Sequence, residues 1–166
     1  MATTDVVMYD EEFQRIKDAL QRLRHDANAN VVFLVDKNGQ QIAAVGDLQT
    51  LDTTSLASLT AGNVAATDGL ARLIGEKEFS ILFHEGERDN IHISIVAQRV
   101  ILVVIFDDRS SLGLVRLRVR RATAELDKVF EEIARKAETE SQALQSDYES
   151  PFAEITDEDI DRLFSE

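Results

Sequence analysis

Residues 52–75 read DTTSLASLTAGNVAATDGLARLIG, from Asp52 to Gly75, and the fold turns on them. Between Thr53 and Gly75 the only charged residues are Asp68 and Arg72, in a chain that is 30% charged. A stretch this poor in charge is either buried or touches something else. At about 100° per residue it forms one long helix. Leu56, Leu59, Leu70 and Ile74 then fall on one side, with Asn63 as the single polar intruder, and this is the expected core face. On the opposite side Ala57, Ala61, Ala65 and Gly69 recur at i+4, flanked by Ser58, Gly62 and Ala66. Small side chains let another backbone come close, so two apolar faces imply two neighbours, one inside the fold and one from another chain. The alternative is a helix buried on both sides within its own domain.

Upstream, Phe13, Ile16, Leu20 and Leu23 recur at helical spacing behind Asp10, a candidate N-cap, and predict a first helix ending near Asp26. Residues 1–8 show no period and read as a frayed end. Val31 to Val35 is a β-branched and aromatic run, Asp36-Lys37-Asn38-Gly39 a tight turn, and Gln40 to Val45 the returning strand. Downstream, Gly75 closes the long helix. Three strands are predicted after it, Glu78–His84, Asn90–Ala97 and Arg99–Phe106, with turns at Glu85–Asp89 and near Gln98-Arg99. Ile91, Ile93 and Ile95 alternate with His92, Ser94 and Val96, which gives that strand one strongly apolar face. Val100 to Phe106 is apolar throughout, as a central strand covered on both sides requires.

A last long helix is predicted from Ser110 or Ser111 to about Thr139, with Val115, Val119, Ala122, Leu126, Val129, Phe130 and Ile133 as its buried stripe. The result is an α+β domain over residues 1–139 in the order α-ββ-α-βββ-α, one five-stranded antiparallel sheet with helices on both faces. Residues 140–150 are polar and aperiodic and read as a linker. In residues 151–166, Thr156 and Asp159 fit a weak capping box and Ile155 and Ile160 a hydrophobic staple. Ile160, Leu163 and Phe164 share one face of a helix too short to persist alone, which invites docking.

The 166 residues suffice for one domain with an appendage. The net charge is -13, and residues 138–166 form an acidic tail whose only basic residue is Arg162, which argues against nucleic acid or an anionic membrane as partner. The absence of cysteine excludes disulfides and thiolate chemistry. With no basic-apolar leader and no apolar run of membrane-spanning length, a cytoplasmic protein is expected. There is no GxGxxG or GxxxxGK[ST], and Gly62 and Gly69 lie inside a helix, the wrong place for a phosphate loop. His84 and His92 are placed to approach each other across a hairpin, but with His25 remote they lack a third ligand. No cofactor or metal is therefore expected. The cluster Arg116-Leu117-Arg118-Val119-Arg120-Arg121 wraps around its helix; neutralising nearby acids is the commoner use and an arginine finger the rarer one. Asp107-Asp108-Arg109 reads as turn and cap chemistry.

The order of elements, with VVFLVDKNGQ, DTTSLASLTAGNVAA, FHEGE, VILVVIFDDRSSLGLVRLR and the C-terminal SPFAEITDEDIDRLFSE, resembles the profilin-like Roadblock/LC7 family. The likeness is to its bacterial members that partner a Ras-like small GTPase in cell polarity and gliding motility. The resemblance implies a homodimer joined through the second helix and third strand, with Ser58, Gly62, Ala66, Phe79, Ile81 and Phe83 at the seam. It implies one GTPase per two protomers, docked on Ala57, Ala61, Ala65, Asp68, Gly69 and Arg72, of which Ala61 and Ala65 match family contact positions. It further implies GTPase activation with no active site of the chain's own and no arginine finger. A tail helix carrying Phe152, Ile155, Ile160, Leu163 and Phe164 would bind the GTPase separately and be linked to nucleotide exchange. Other polarity proteins and concentration at a cell pole belong to the same expectation. Two alternatives stand beside it: a scaffold that binds the GTPase without accelerating hydrolysis, and a small-molecule enzyme or sensor, which needs a polar pocket that these residues do not assemble.

Overall fold

The computed structural model describes residues 10–149 and 157–164. The described residues form two units, one extending to Glu131 and the other beginning at Glu132. In the first unit the elements run α1 (Asp10–Ala27), β1 (Val31–Asp36), β2 (Gln41–Gly46), α2 (Thr53–Leu73), β3 (Ile81–Glu85), β4 (Asn90–Val96), β5 (Val100–Phe106) and the start of α3 (Leu112–Glu149). All strand pairs are antiparallel, and the sheet order is β2-β1-β5-β4-β3. The apolar run at Val100–Phe106 is the central strand, hydrogen-bonded on both sides and buried along its whole length. β2 and β3 are the edges.

Turn chemistry sets the registers. The Asp36 carboxylate accepts from the backbone N–H groups of Asn38 and Gln40, both at 2.9 Å, while Gly39 takes φ 89°. Between β4 and β5 the turn is made by Ala97 and Gln98, both left-handed at φ 52° and 58°. Neither is glycine, and the N–H of Ala97 is held by the Asp127 carboxylate of α3 at 3.0 Å. β3 starts at Ile81 rather than Glu78, which leaves Phe79 ahead of the strand.

Alternation along the strands divides the core. Phe33, Ile93 and Val103 stand in one cross-strand row and pack with Ala57, Ala61 and Val64 of α2. Val32, His92 and Val104 stand in the neighbouring row and face the other way, toward α1 and α3. There Ile16, Leu20 and Leu23 of α1 are buried, while Phe13 sits at the periphery. The seven-residue stripe of α3 from Val115 to Ile133 is buried throughout.

A polar latch joins the α1–β1 loop to the β5–α3 corner. Asp107 accepts from Arg109 Nη2 at 3.0 Å, from the Arg109 backbone N–H at 3.0 Å and from Asn30 Nδ2 at 3.1 Å, and Asn28 Nδ2 donates to the Arg109 carbonyl at 2.8 Å. The Arg109 hydrogen bonds hold the Asp107 carboxyl well below the usual carboxylate range.

In the second unit α3 continues from Glu132 to Glu149, so the span read as a linker is helical over residues 140–149. Helix α4 covers Asp157–Phe164. Phe152 and Ile155 lie outside the described residues. Among the described residues no helix is long and apolar enough to cross a membrane.

Candidate partner-binding surface

Helix α2 begins where Asp52 caps it, accepting from the Ser55 N–H at 3.1 Å and the Ser55 hydroxyl at 2.6 Å; these bonds draw the Asp52 carboxyl below its ordinary value. Its C-terminus is closed by Gly75 at φ 81°. Its orientation reverses the sequence expectation. Ala57 is 0% exposed and Ala61 9%, both seated on the sheet beside Val64, and Ala71 is buried, whereas Leu59, Leu70 and Ile74 are 73%, 60% and 68% exposed.

The reason is how close the β1–β2 turn comes. A Cβ built on Gly39 would lie 3.2 Å from the Ser58 Cα and 3.6 Å from the Ala61 Cβ. The backbone that approaches the small-residue face is the chain's own, and leucine there would push the helix off the sheet. Ala57 and Ala61 are therefore core residues of the single chain. Leu56 is half-buried, so only one member of the expected core quartet packs inward.

Two strips of α2 remain at the surface. On the side leaning toward β3 lie Leu59, Leu70, Leu73 and Ile74, and there Asn63 Nδ2 meets His84 Nε2 at 3.0 Å. On the side leaning toward the β1–β2 turn lie Ser58, Gly62 and Ala65, all exposed, and Gly69, half-buried. Ala66 and Arg72 are exposed and Asp68 half-buried. Sequence reasoning missed the leucine strip because it assigned Leu59, Leu70 and Ile74 to the core and gave Leu73 no place.

The edge strand β3 carries the other expected seam residues. Ile81 is 50% exposed, while Phe83 is half-buried and stacks on Phe106 with ring centroids 6.2 Å apart. Ile81 pairs with Ser94 and Phe83 with His92, so both point to the sheet face opposite α2. Within one chain they do not share a patch with Ser58, Gly62 and Ala66; only a partner that meets the β3 edge touches both sets. Phe79 is half-buried ahead of the strand.

The two histidines separate by the same alternation. His84 pairs with Ile91 and His92 with Phe83, which puts them on opposite faces, so they do not approach across the hairpin. His92 is 1% exposed with neither ring nitrogen hydrogen-bonded; burial first, and the Arg116 charge second, push its pKa down, and the ring is neutral. Among the described residues no three His, Asp or Glu side chains are placed to hold a metal. On α4, Leu163 and Phe164 are 82% and 86% exposed, and the side chain of Ile160 is outside the described residues.

A sheet of order β2-β1-β5-β4-β3 with α2 alone on one face and an open β3 edge defines a class. Residues 15–106 match the Roadblock/LC7 domain, and the chain belongs to that family. Within it the chain is similar to MglB of Myxococcus xanthus, at 63% identity and TM-score 0.73 over 76% of this chain and 96% of that one. It is also similar to the gliding protein MglB of Thermus thermophilus, at 32% identity and TM-score 0.72 over 77% of this chain and 97% of that one. A further MglB, described as having a tetrameric arrangement, matches at 32% identity and TM-score 0.72 over 78% of this chain and 97% of that one. Among curated proteins none matches the chain.

Proposed function

We propose that the chain is a homodimeric activator of a Ras-like small GTPase of the MglA type, acting in cell polarity and gliding motility. The observation that carries this reading is the pair of strips on α2, an uncovered leucine ridge beside a flat line of small residues, in a chain 63% identical to an MglB. The leucine ridge and the β3 edge supply a dimer seam. The small-residue strip around Ala65 supplies a surface on which one GTPase sits across two protomers. The chain is then a regulator with no active site of its own, acting by reshaping the GTPase. The arginine cluster of α3 lies across the sheet from α2, which speaks against an arginine finger. The tail helix, with its bare Leu163 and Phe164, makes a second contact linked to nucleotide exchange.

The test is single-turnover GTP hydrolysis by an MglA-type GTPase, titrated with this protein from below one to above two protomers per GTPase. A rate that rises and saturates near two protomers is the expected result. Binding with an unchanged rate would make the chain a scaffold. Ala65→Arg adds a long cation to the exposed strip and should abolish stimulation in a folded dimer, because its charge must be desolvated without a partner. Normal stimulation by that variant would remove the strip from the contact. Ala61→Arg is unsuitable, since it would disrupt the core.

A further inference from the structure

Four arginines stand within six residues at the start of α3, and the proposed function uses none of them. On the helix they divide into two pairs. Arg116 and Arg120 share one side, and Arg116 lies close enough to His92 to lower its pKa. Arg118 and Arg121 point toward α1 and rim a groove of about 210 Å³ between the two helices. The floor of the groove is Ala19, Leu23 and Ala122, all buried. Across it Arg22 of α1 is paired with Glu125 at 2.7 Å, so these two charges cancel. Asp26 completes the rim.

Arg118 and Arg121 make no hydrogen bond or ion pair among the described residues, and the Arg118 Nε–H is buried without an acceptor. In a chain of net charge -13 the rim therefore carries a net positive charge, Arg22, Arg118 and Arg121 against Asp26 and Glu125, over an apolar floor.

We propose that this groove between α1 and α3 is the docking site for an acidic amphipathic segment of a partner protein. Guanidinium groups bind carboxylates bidentately, and carboxylates three or four residues apart on a helix are spaced to meet Arg118 and Arg121 together. Apolar side chains on the same helix face cover Ala19, Leu23 and Ala122. Long polyanions and anionic bilayers are disfavoured, because the chain's overall negative charge repels an extended like-charged surface while two local arginines hold a short segment. The groove is across the sheet from α2, so an occupant leaves the α2 strips free. The proposal does not depend on the GTPase reading.

The experiment uses the full chain and a fluorescein-labelled amphipathic peptide of Glu, Leu and Ala, about 15 residues long so that it is helix-competent. Fluorescence anisotropy is measured for the wild type, R118Q/R121Q and R116Q/R120Q, each checked for folding by circular dichroism. The expected result is saturable, salt-sensitive binding that weakens at least about tenfold in R118Q/R121Q and no more than about twofold in R116Q/R120Q. Equal losses in both double variants would show unspecific charge attraction and overturn the proposal. So would equal binding of a Lys-for-Glu peptide, or no saturable binding at all. Binding of phosphatidylglycerol vesicles but not of the peptide would reassign the groove to a membrane and overturn it as well.

Discussion

The reversed orientation of α2 makes a prediction in which two substitutions exchange their expected effects. Ala57→Leu inserts three carbons at a position that is 0% exposed and pressed between sheet and turn, and overpacking of this kind costs about 1–3 kcal/mol. Leu59→Ala removes carbons from a side chain that is 73% exposed. Full burial of a leucine contributes about 1.5–3 kcal/mol, and since about a quarter of Leu59 is covered, its loss costs about 0.5 kcal/mol in the monomer. With the helix turned as its sequence first suggests, the order inverts: Leu59→Ala would cost about 2–5 kcal/mol and Ala57→Leu within about 0.5 kcal/mol. Urea unfolding separates the cases, because with m of about 1–3 kcal/mol/M the larger effect moves the midpoint on the order of 1 M. The measurement is repeated over a dilution series so that loss of self-association at Leu59 shows as concentration dependence rather than as lost packing. A midpoint that falls by about 1 M for Leu59→Ala at every concentration, with Ala57→Leu unchanged, would refute the orientation.

Asp107→Asn should lower the urea midpoint at pH 7, because the latch loses its charge-assisted bonds to Arg109. The folded carboxyl lies below the ordinary 3.8, so its stabilisation is complete above that value and is lost as pH falls through the folded pKa; the gap between wild type and variant should close only in strong acid. His92→Leu removes two buried, unpartnered nitrogens and should leave stability at pH 7 equal or higher by up to about 1 kcal/mol. Because the folded imidazole is depressed below 6.5, the unfolded chain binds more protons under that pH; the wild type should lose stability as pH falls from 6.5 toward the folded pKa, and the variant should lack that segment of the decline. Gly46→Ala, at φ 114°, drives a Cβ into the carbonyl oxygen of Asn30 and should cost about 3 kcal/mol in thermal or urea unfolding. Gly113→Ala, with open space at its Cβ, should be neutral or gain up to about 1 kcal/mol in the same assay.

The strands were legible where one local signal sufficed. Val31–Val35 and Val100–Phe106 are β-branched runs too short for helices, and Asn38-Gly39 supplies the left-handed turn that joins the first pair. The extent of α3 was not legible from its stripe, because the apolar period fades after Ile133 while the helix continues to Glu149. Its later residues are mostly Glu, Ala, Gln, Ser and Leu, with no glycine or proline before Pro151, so propensity carries the helix where packing no longer marks it. The opposed histidines were misjudged by register: one residue of slip between β3 and β4 turns every side chain to the other face, and the five-residue connection did not fix that register.

The face of α2 was the hardest to read, for a reason that bears on function. Periodicity identifies that a helix has sides, and the larger apolar side is ordinarily assigned inward because it buries more area. That rule assumes a core with room for leucine. Here Gly39 brings backbone against the helix, only alanine fits at positions 57 and 61, and Leu59, Leu70 and Ile74 are turned outward. Leu59, Leu70, Leu73 and Ile74 are 60% to 84% exposed, and covering them is worth at most about 1.5–3 kcal/mol each. Summed over both protomers this is of the same order as the about 4–15 kcal/mol that association costs, so the ridge alone leaves little surplus. A stable seam needs more than the helix, and the nearest supply is the unpaired backbone of β3 with the half-exposed Ile81. Leucine ridge and edge strand therefore act together in the proposed dimer. The small-residue strip around Ala65, which adds little apolar area of its own, is then left free for the surface of a second protein.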